Sequence, residues 1–233
     1  MKIFPVRDPD KIPRPEKHLP DKPEILDVGC GKGVQTLDLA RTSKGKIKAV
    51  DNHAFFLDYL ELTAQKEGYE NTITCTNADM KSMPFKNECF DLIWSEGAVF
   101  IIGIKEGLKE WKKYLKKNGF LVLTDLIWLK NKRPEELNNY WEQEGLSIMT
   151  VEQVIAISDK EGYKLMKHFT LPASSWLKEY IMPQEAVIAL LKAKYSSVNE
   201  ALETYSAIKS ENEIVKKYLG NFGYEFFIWR YTA

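Results

Sequence analysis

The 233-residue sequence predicts an α/β fold built on a mostly parallel sheet. Three observations carry the expectation. The stretch Ile25-Leu-Asp-Val-Gly-Cys-Gly-Lys-Gly33 is a short apolar run ending in Asp27, followed by glycines at every second position. An amphipathic segment with Val34, Leu37 and Ala40 on one face comes next, so the unit reads strand, tight turn, helix. Strand-like and helix-like segments then alternate as far as Leu126, the order that builds a parallel sheet with crossover helices. Finally, Phe90-Asp-Leu-Ile-Trp-Ser95 is nearly continuous in apolar residues, as a strand buried on both faces must be.

Composition bounds the function. Lys plus Arg and Asp plus Glu both number 33, so the net charge is zero. Nothing in that balance favours gripping nucleic acid or an anionic membrane. No stretch is long and apolar enough to span a bilayer, and the N-terminus has no apolar leader core. Cys30, Cys75 and Cys89 are scattered, with no C-x-x-C pair. They fit buried thiols in a reducing cytoplasm better than disulfides or a zinc site, and no metal cluster is expected.

Residues 1–24 form a proline-rich arm with Pro5, Pro9, Pro13, Pro15, Pro20 and Pro23, too dense in proline for a long helix. The glycine loop after the first strand lets a ligand lie directly on the main chain. The helix start beyond it presents unpaired N–H groups and partial positive charge to an electron-rich end of that ligand. Lys46 to Asp51 is a second strand, ending in an acid whose two oxygens can accept from both hydroxyls of a ribose. Asn52 and His53 follow, then a helix to Glu67 with Phe56, Tyr59, Leu60 and Thr63 as its core stripe and Gly68 as its stop. Thr72 to Thr76 is a third strand leading into Asn77-Ala78-Asp79-Met80. The fourth strand, Phe90–Ser95, presents Ser95-Glu96-Gly97-Ala98 at its tip. A lysine-rich helix is expected over 105–117, ended by Asn118-Gly119, and the fifth strand over 120–126.

The order and spacing of these motifs over residues 25–126 resemble class I S-adenosylmethionine (SAM) methyltransferases. The likeness is to their small-molecule branch, the methyltransferase type 11 or ubiquinone-biosynthesis-like group. The dinucleotide pattern G-x-G-x-x-G would need a glycine where Val34 stands. The resemblance implies a Rossmann-like, seven-stranded, mostly parallel sheet with an antiparallel last strand, and SAM as cofactor with S-adenosylhomocysteine as product. It assigns Asp27 and the loop Gly29, Cys30, Gly31 and Gly33 to the methionyl and ribose parts, and Asp51 with Asn52 to the ribose. Ala78, Asp79 and Met80 fall to the adenine, and Ser95 to the edge of the methyl group. No Asn/Asp-Pro-Pro-Tyr/Phe run follows the fourth strand, which counts against methylation of nucleic-acid bases.

Beyond Leu126 the resemblance is softer. A short helix is expected around Tyr140 and Trp141, and Thr150-x-x-Gln153 is a capping box opening another. Tyr163 to Leu171 and Tyr224 to Arg230 read as the last strands. The core then comprises residues 25–172 and 223–233. Residues 173–222 form a helical insertion, with further capping boxes at Ser197-x-x-Glu200 and Ser210-x-x-Glu213. We expect this insertion to act as a cap, its aromatics Trp176 and Tyr180 joining Tyr140, Trp141 and Glu96 around a small-molecule acceptor. Glu96 and His53 are the only candidate bases, and the catalytic group is otherwise open. A non-catalytic module that binds SAM or its product, an RNA methyltransferase using the lysine-rich helix, and a homodimer all remain open at this stage.

Overall fold

The computed structural model describes residues 19–232; most of the proline-rich arm, residues 1–18, lies outside them. An eight-stranded sheet runs in the order β3-β2-β1-β4-β5-β8-β7, with the two-residue strand β6 (Met149–Thr150) pairing off this path with β5. Strands β1 (Glu24–Val28), β2 (Lys46–Asp51), β3 (Ile73–Asn77), β4 (Phe90–Ser95) and β5 (Leu115–Trp128) pair in parallel. Strands β7 (Tyr163–Thr170) and β8 (Phe222–Tyr231) complete a mostly parallel, Rossmann-like sheet with an antiparallel end. The expected seven strands are the seven on the main path; β6 is the addition.

Parallel pairing needs a crossover after each strand. Helices α1 (Val34–Thr42), α2 (Ala54–Glu67) and α3 (Ile104–Trp111) provide three of them, and α5 (Val151–Lys160) leads into β7. Ile25, Leu26, Ile47, Ile93, Leu121 and Leu123 are fully or almost fully buried on the central strands. Each such aliphatic side chain contributes about 1.5–3 kcal/mol by leaving water. Trp94, Trp111 and Trp229 are buried whole, and Phe169 stacks on Phe226 at 5.1 Å with nearly parallel rings.

Several local expectations are corrected. Val34 is 52% exposed, because α1 turns Thr36, Leu37, Leu39 and Ala40 inward. The buried residues of α2 are Leu57, Leu60 and Ala64, one step round from the expected stripe, and Tyr59 is exposed. The lysine-rich helix ends at Trp111 and passes through a short 3-10 turn into β5, which starts at Leu115. Asn118 and Gly119 therefore do not cap a helix. They sit in an irregular stretch of β5, where the register against β4 shifts between Phe90 and Leu92 and Asn118 has φ 65°. The Thr150 capping box is formed, with Gln153 N–H donating to Thr150 Oγ1 and Thr150 N–H to Gln153 Oε1. The other two boxes are not. Helix α7 runs unbroken from Asn199 to Tyr218 and starts without a side-chain cap, leaving Ser210 mid-helix.

Two compact units share the chain. The first holds residues 19–126, Met149–Phe169 and residues 224–232, and carries the sheet ends described below. The second, helical unit comprises Ile127–Ile148 and Thr170–Gly223. It contains α4 (Glu135–Gln143), a π-helical stretch Ser175–Ile181, α6 (Met182–Lys194) and α7. Its centre is aromatic: Trp141 meets Phe222 edge to face at 5.2 Å, and Trp176 meets Phe222 at 5.6 Å and Tyr180 at 5.7 Å. Ion pairs Lys217–Glu136 and Lys216–Glu185 tie α7 to α4 and α6.

Candidate cofactor site at the strand ends

The loop after β1 is held by the strand beside it. Gly29 and Cys30 both donate their N–H to the Val50 carbonyl, at 2.8 and 3.0 Å. Gly33 N–H closes a turn on the Cys30 carbonyl, and α1 starts there with its N-terminus toward the loop. Gly29 has φ +73°, and a Cβ on it would lie 2.3 Å from the Ala98 Cβ. A Cβ on Gly33, φ +81°, would lie 2.2 Å from Leu60. Glycine is required at 29 and 33 because Ala98 after β4 and Leu60 of α2 press on the loop there.

Asp51, at the tip of β2, is bound to the same loop. Its Oδ2 accepts from Gly31 N–H and its Oδ1 from His53 N–H, each at 2.9 Å. A carboxylate has about four acceptor positions, so both oxygens keep capacity for hydroxyl donors. Asp27 is buried, and its Oδ2 accepts from the Thr36 hydroxyl at 2.6 Å. Register places the two acids on one face, since Asp27 pairs with Ala49, two residues before Asp51. Ala78 N–H donates to the Asp51 carbonyl at 3.1 Å, fastening the end of β3 to the same place. Asp79 is exposed, with Oδ1 accepting from Lys81 N–H. The Met80 Cε lies 3.6 Å from where a Gly29 Cβ would stand. Trp111 Nε1 donates to the Met80 carbonyl and Tyr114 to the Met83 carbonyl, so the loop after β3 is anchored from beneath. The loops after β1, β3 and β4 thus meet at Gly29.

Other expected residues behave differently. Ser95 is fully buried and donates its hydroxyl to the Val28 carbonyl, so its side chain joins β1 to β4. Cys30 turns its thiol inward, where it donates to the Gly31 carbonyl, and burial together with Asp27 and Asp51 pushes its pKa well up. Asn52 and His53 are exposed at the start of α2, and the His53 ring packs 5.2 Å from Phe56. Glu96 is half-buried and accepts from Trp94 Nε1 at 2.7 Å, which orients it at the tip of β4. In the helical unit, Trp141, Trp176 and Tyr180 are buried against one another and Phe222. Their rings are packing groups rather than an open lining, and only Tyr140 is half-buried. Four lysines on and after α3 are engaged: Lys109 and Lys113 with Glu110, Lys112 with Glu161, Lys116 with Asp91.

Sequence reasoning missed the part of β5 level with the end of β4. Thr124 Oγ1 accepts from Gly97 N–H at 2.9 Å, pinning the loop after β4. Next to it, Asp125 is crowded by protein yet keeps some accessible surface, and burial raises its pKa to about 7. Leu123 pairs with Ser95, so Asp125 lies on the face of the sheet opposite Asp27 and Asp51. The signal was present as an acid interrupting the apolar run Phe120–Trp128. A groove of about 620 Å³ between α2 and β3, lined by Asp58, Glu61, Leu62 and Cys75 among others, lies along the sheet's edge, and the strand-end loops take no part in it. Among the described residues no group of three or more metal-ligating side chains occurs, and no helix is long and apolar enough to cross a membrane.

Comparison with known proteins agrees with this fold. Residues 25–119 match the family model described as methyltransferase domain. A dimethylglycine N-methyltransferase from Parasynechococcus marenigrum is 31% identical over 108 residues, covering 46% of this chain and 39% of that protein. The chain spans about half the length of the curated relatives it matches, or less. Among solved structures, a SAM-dependent methyltransferase from Geobacter sulfurreducens in complex with S-adenosylhomocysteine superposes with TM-score 0.78 at 16% identity, over 93% of this chain and 90% of that one. The [4+2]-cyclase SpnF superposes with TM-score 0.75 at 19% identity, over 93% and 77%. The fold is that of the class I methyltransferases. Residues 25–119 are similar in sequence to a methyltransferase domain.

Proposed function

We propose that the chain binds SAM at the ends of β1 to β4 and transfers its methyl group to a small-molecule acceptor. The observation that carries this is the convergence on Gly29 of three loops, beside an Asp51 carboxylate fixed by two main-chain N–H groups. A two-oxygen acceptor at a strand tip suits the vicinal diol of a ribose. The Met80 side chain suits the flat face of an adenine, with the exposed Asp79 carboxylate ready to accept from its amino group. The start of α1 favours the cofactor's carboxylate. To Asp27, held by Thr36, we assign the methionyl amino group.

Bound there, the cofactor would supply an electrophilic methyl for in-line transfer to the acceptor's nucleophile, with S-adenosylhomocysteine as the leaving group. The protein's own work is alignment and exclusion of water. Where the acceptor loses a proton, Glu96 at the end of β4 is the carboxylate we assign to take it. We assign acceptor recognition to the helical unit, Ile127–Ile148 and Thr170–Gly223, working from the insertion first placed at residues 173–222. Zero net charge and the ion-paired lysines beside α3 favour a small acceptor over nucleic acid. The free thiols Cys30, Cys75 and Cys89 support a cytoplasmic setting.

Isothermal titration with SAM and S-adenosylhomocysteine, followed by transfer of a labelled methyl group to a metabolite extract, tests the proposal. Binding with transfer is the expected result. Binding without transfer to any extract would leave a module that holds the cofactor for other chemistry, which the cyclase's shared fold makes a real rival. Absence of binding would remove both.

A further inference from the structure

On one side the sheet ends at β3, and among the described residues no strand lies beyond it. Its pairing with β2 engages alternate residues. Ile47 N–H donates to the Thr72 carbonyl and Ala78 N–H to the Asp51 carbonyl, with Ile47 level with Ile73 and Asp51 level with Asn77. Residues 72, 74, 76 and 78 therefore turn their main chain toward β2, and residues 73, 75 and 77 turn theirs outward. The Ile73 N–H is taken by the Tyr69 carbonyl. The Ile73 carbonyl, both main-chain groups of Cys75 and the Asn77 N–H are left on the open edge. A row of this kind is a template for one more strand.

The groove of about 620 Å³ runs along that edge, with α2 as its other wall. Its lining includes Leu62, Ile73, Cys75, Asp58, Glu61 and Glu70, and among the described residues no lysine or arginine lines it. Leu62 is 58% exposed, so the wall offers apolar surface that nothing in the unit covers. Asp58, Glu61 and Glu70 are exposed and make no ion pair among the described residues, whereas Glu67 of the same helix pairs with Arg41. Their field reaches the groove's floor. Burial first, then the charges of Glu61, Asp27 and Asp58, push the Cys75 thiol up to about 12. The whole chain has no net charge, so this negative potential is local. From Asp58 to Gln65 the helix wall is about 10 Å long. Every second side chain of an added strand would fall about 7 Å from the last, so two of them span the wall.

We propose that the β3 edge and this groove bind an extended, basic segment of a partner protein, which adds to the sheet as a further strand with lysine or arginine at alternate positions. Its main chain pairs with the outward groups of Ile73, Cys75 and Asn77. Its alternate side chains lie over the groove, where their aliphatic stems cover Leu62 and Ile73 and their cationic heads reach Asp58, Glu61 and Glu70. A second copy offering the same edge is disfavoured, because two acidic edges would face each other. The inference is independent of the cofactor proposal, since the groove takes in none of the strand-end loops.

The test uses the full chain, isotope-labelled for NMR, and three capped seven-residue peptides. The first is Thr-Lys-Val-Lys-Val-Lys-Thr. The second has glutamate at each lysine position. The third is the lysine peptide N-methylated on every lysine and valine, which keeps the charge and removes the main-chain donors. The expected result is that the lysine peptide shifts the Cys75 and Asn77 amide signals and slows their hydrogen exchange. It binds at least tenfold more tightly than either of the other two. Asp58→Asn combined with Glu61→Gln, both exposed on α2, weakens it about fivefold, with an unchanged circular-dichroism spectrum. The comparison among peptides on wild type needs no variant to fold. Failure of the lysine peptide to bind overturns the proposal and leaves the acids as guards of a bare edge. Equal binding by the N-methylated peptide overturns strand addition, and equal binding by the glutamate peptide overturns the basic partner. Shifts confined to residues outside β3 and α2, or unchanged affinity in the double variant, also overturn it.

Discussion

Replacing Gly29 with alanine tests the convergence of loops most directly. The new Cβ would stand 2.3 Å from the Ala98 Cβ, more than 1 Å inside ordinary contact, and alanine has no side-chain rotation to relieve it. Overpacking of that kind costs about 1–3 kcal/mol. The backbone at φ +73° adds about 1–2 kcal/mol for any residue with a Cβ. The sum, about 2–5 kcal/mol, lowers the thermal midpoint of a chain this size by roughly 10 °C. The second variant separates the two terms. With Ala98→Gly in the same chain, the next atoms are the Met80 Cε at 3.6 Å and the Ala98 Cα at 3.7 Å, both ordinary contacts. The double variant should regain the packing term and keep only the backbone term. A thermal-denaturation double-mutant cycle should therefore give a favourable coupling of about 1–3 kcal/mol. If Gly29→Ala melts within 2 °C of wild type (about the shift for 0.5–1 kcal/mol), or if Ala98→Gly restores nothing, the loops after β1 and β4 do not meet as described.

Other expectations follow from single groups. Asp51→Ala should weaken SAM or S-adenosylhomocysteine binding by about 1.5–3 kcal/mol, roughly 10- to 150-fold, and an unchanged calorimetric affinity would remove the ribose assignment. Asp125 has a folded-state pKa raised to about 7, so the folded chain holds this proton more tightly than the unfolded one. Its contribution to stability is present below about pH 4 and is lost as pH rises toward 7, at most about 4 kcal/mol in all. Urea denaturation at pH 5 and pH 8 should show that loss in wild type and much less of it in Asp125→Asn; identical pH dependence in the two would refute the assignment. Tyr114→Phe removes the hydrogen bond to the Met83 carbonyl and should cost about 1–3 kcal/mol in the same assay. EDTA should leave S-adenosylhomocysteine affinity unchanged, and a chelator-sensitive isotherm would show a metal requirement.

The sequence by itself determined the fold class and the order of β1 to β5. Each strand announces itself locally: Ile25–Val28 and Phe90–Ser95 by apolar runs, Ile73–Asn77 by β-branched alternation, and the turn after β1 by glycines. Asp27 and Asp51 could be placed at strand tips because strand ends are marked by the chemistry of the next few residues. Side-chain occupation was not legible in the same way. Ser95 looks equally available in sequence whether it faces a ligand or the Val28 carbonyl, and only the pairing of β1 with β4 chooses. The capping patterns at Ser197 and Ser210 were locally sound but lost to the continuous α7, because packing along its inward stripe outweighs a cap worth about 1 kcal/mol. Asp125 carries a raised pKa only because the folded chain buries it within β5. Burial and hydrogen-bond satisfaction are properties of the whole assembled chain, and they were decided by contacts between segments that no local pattern encodes.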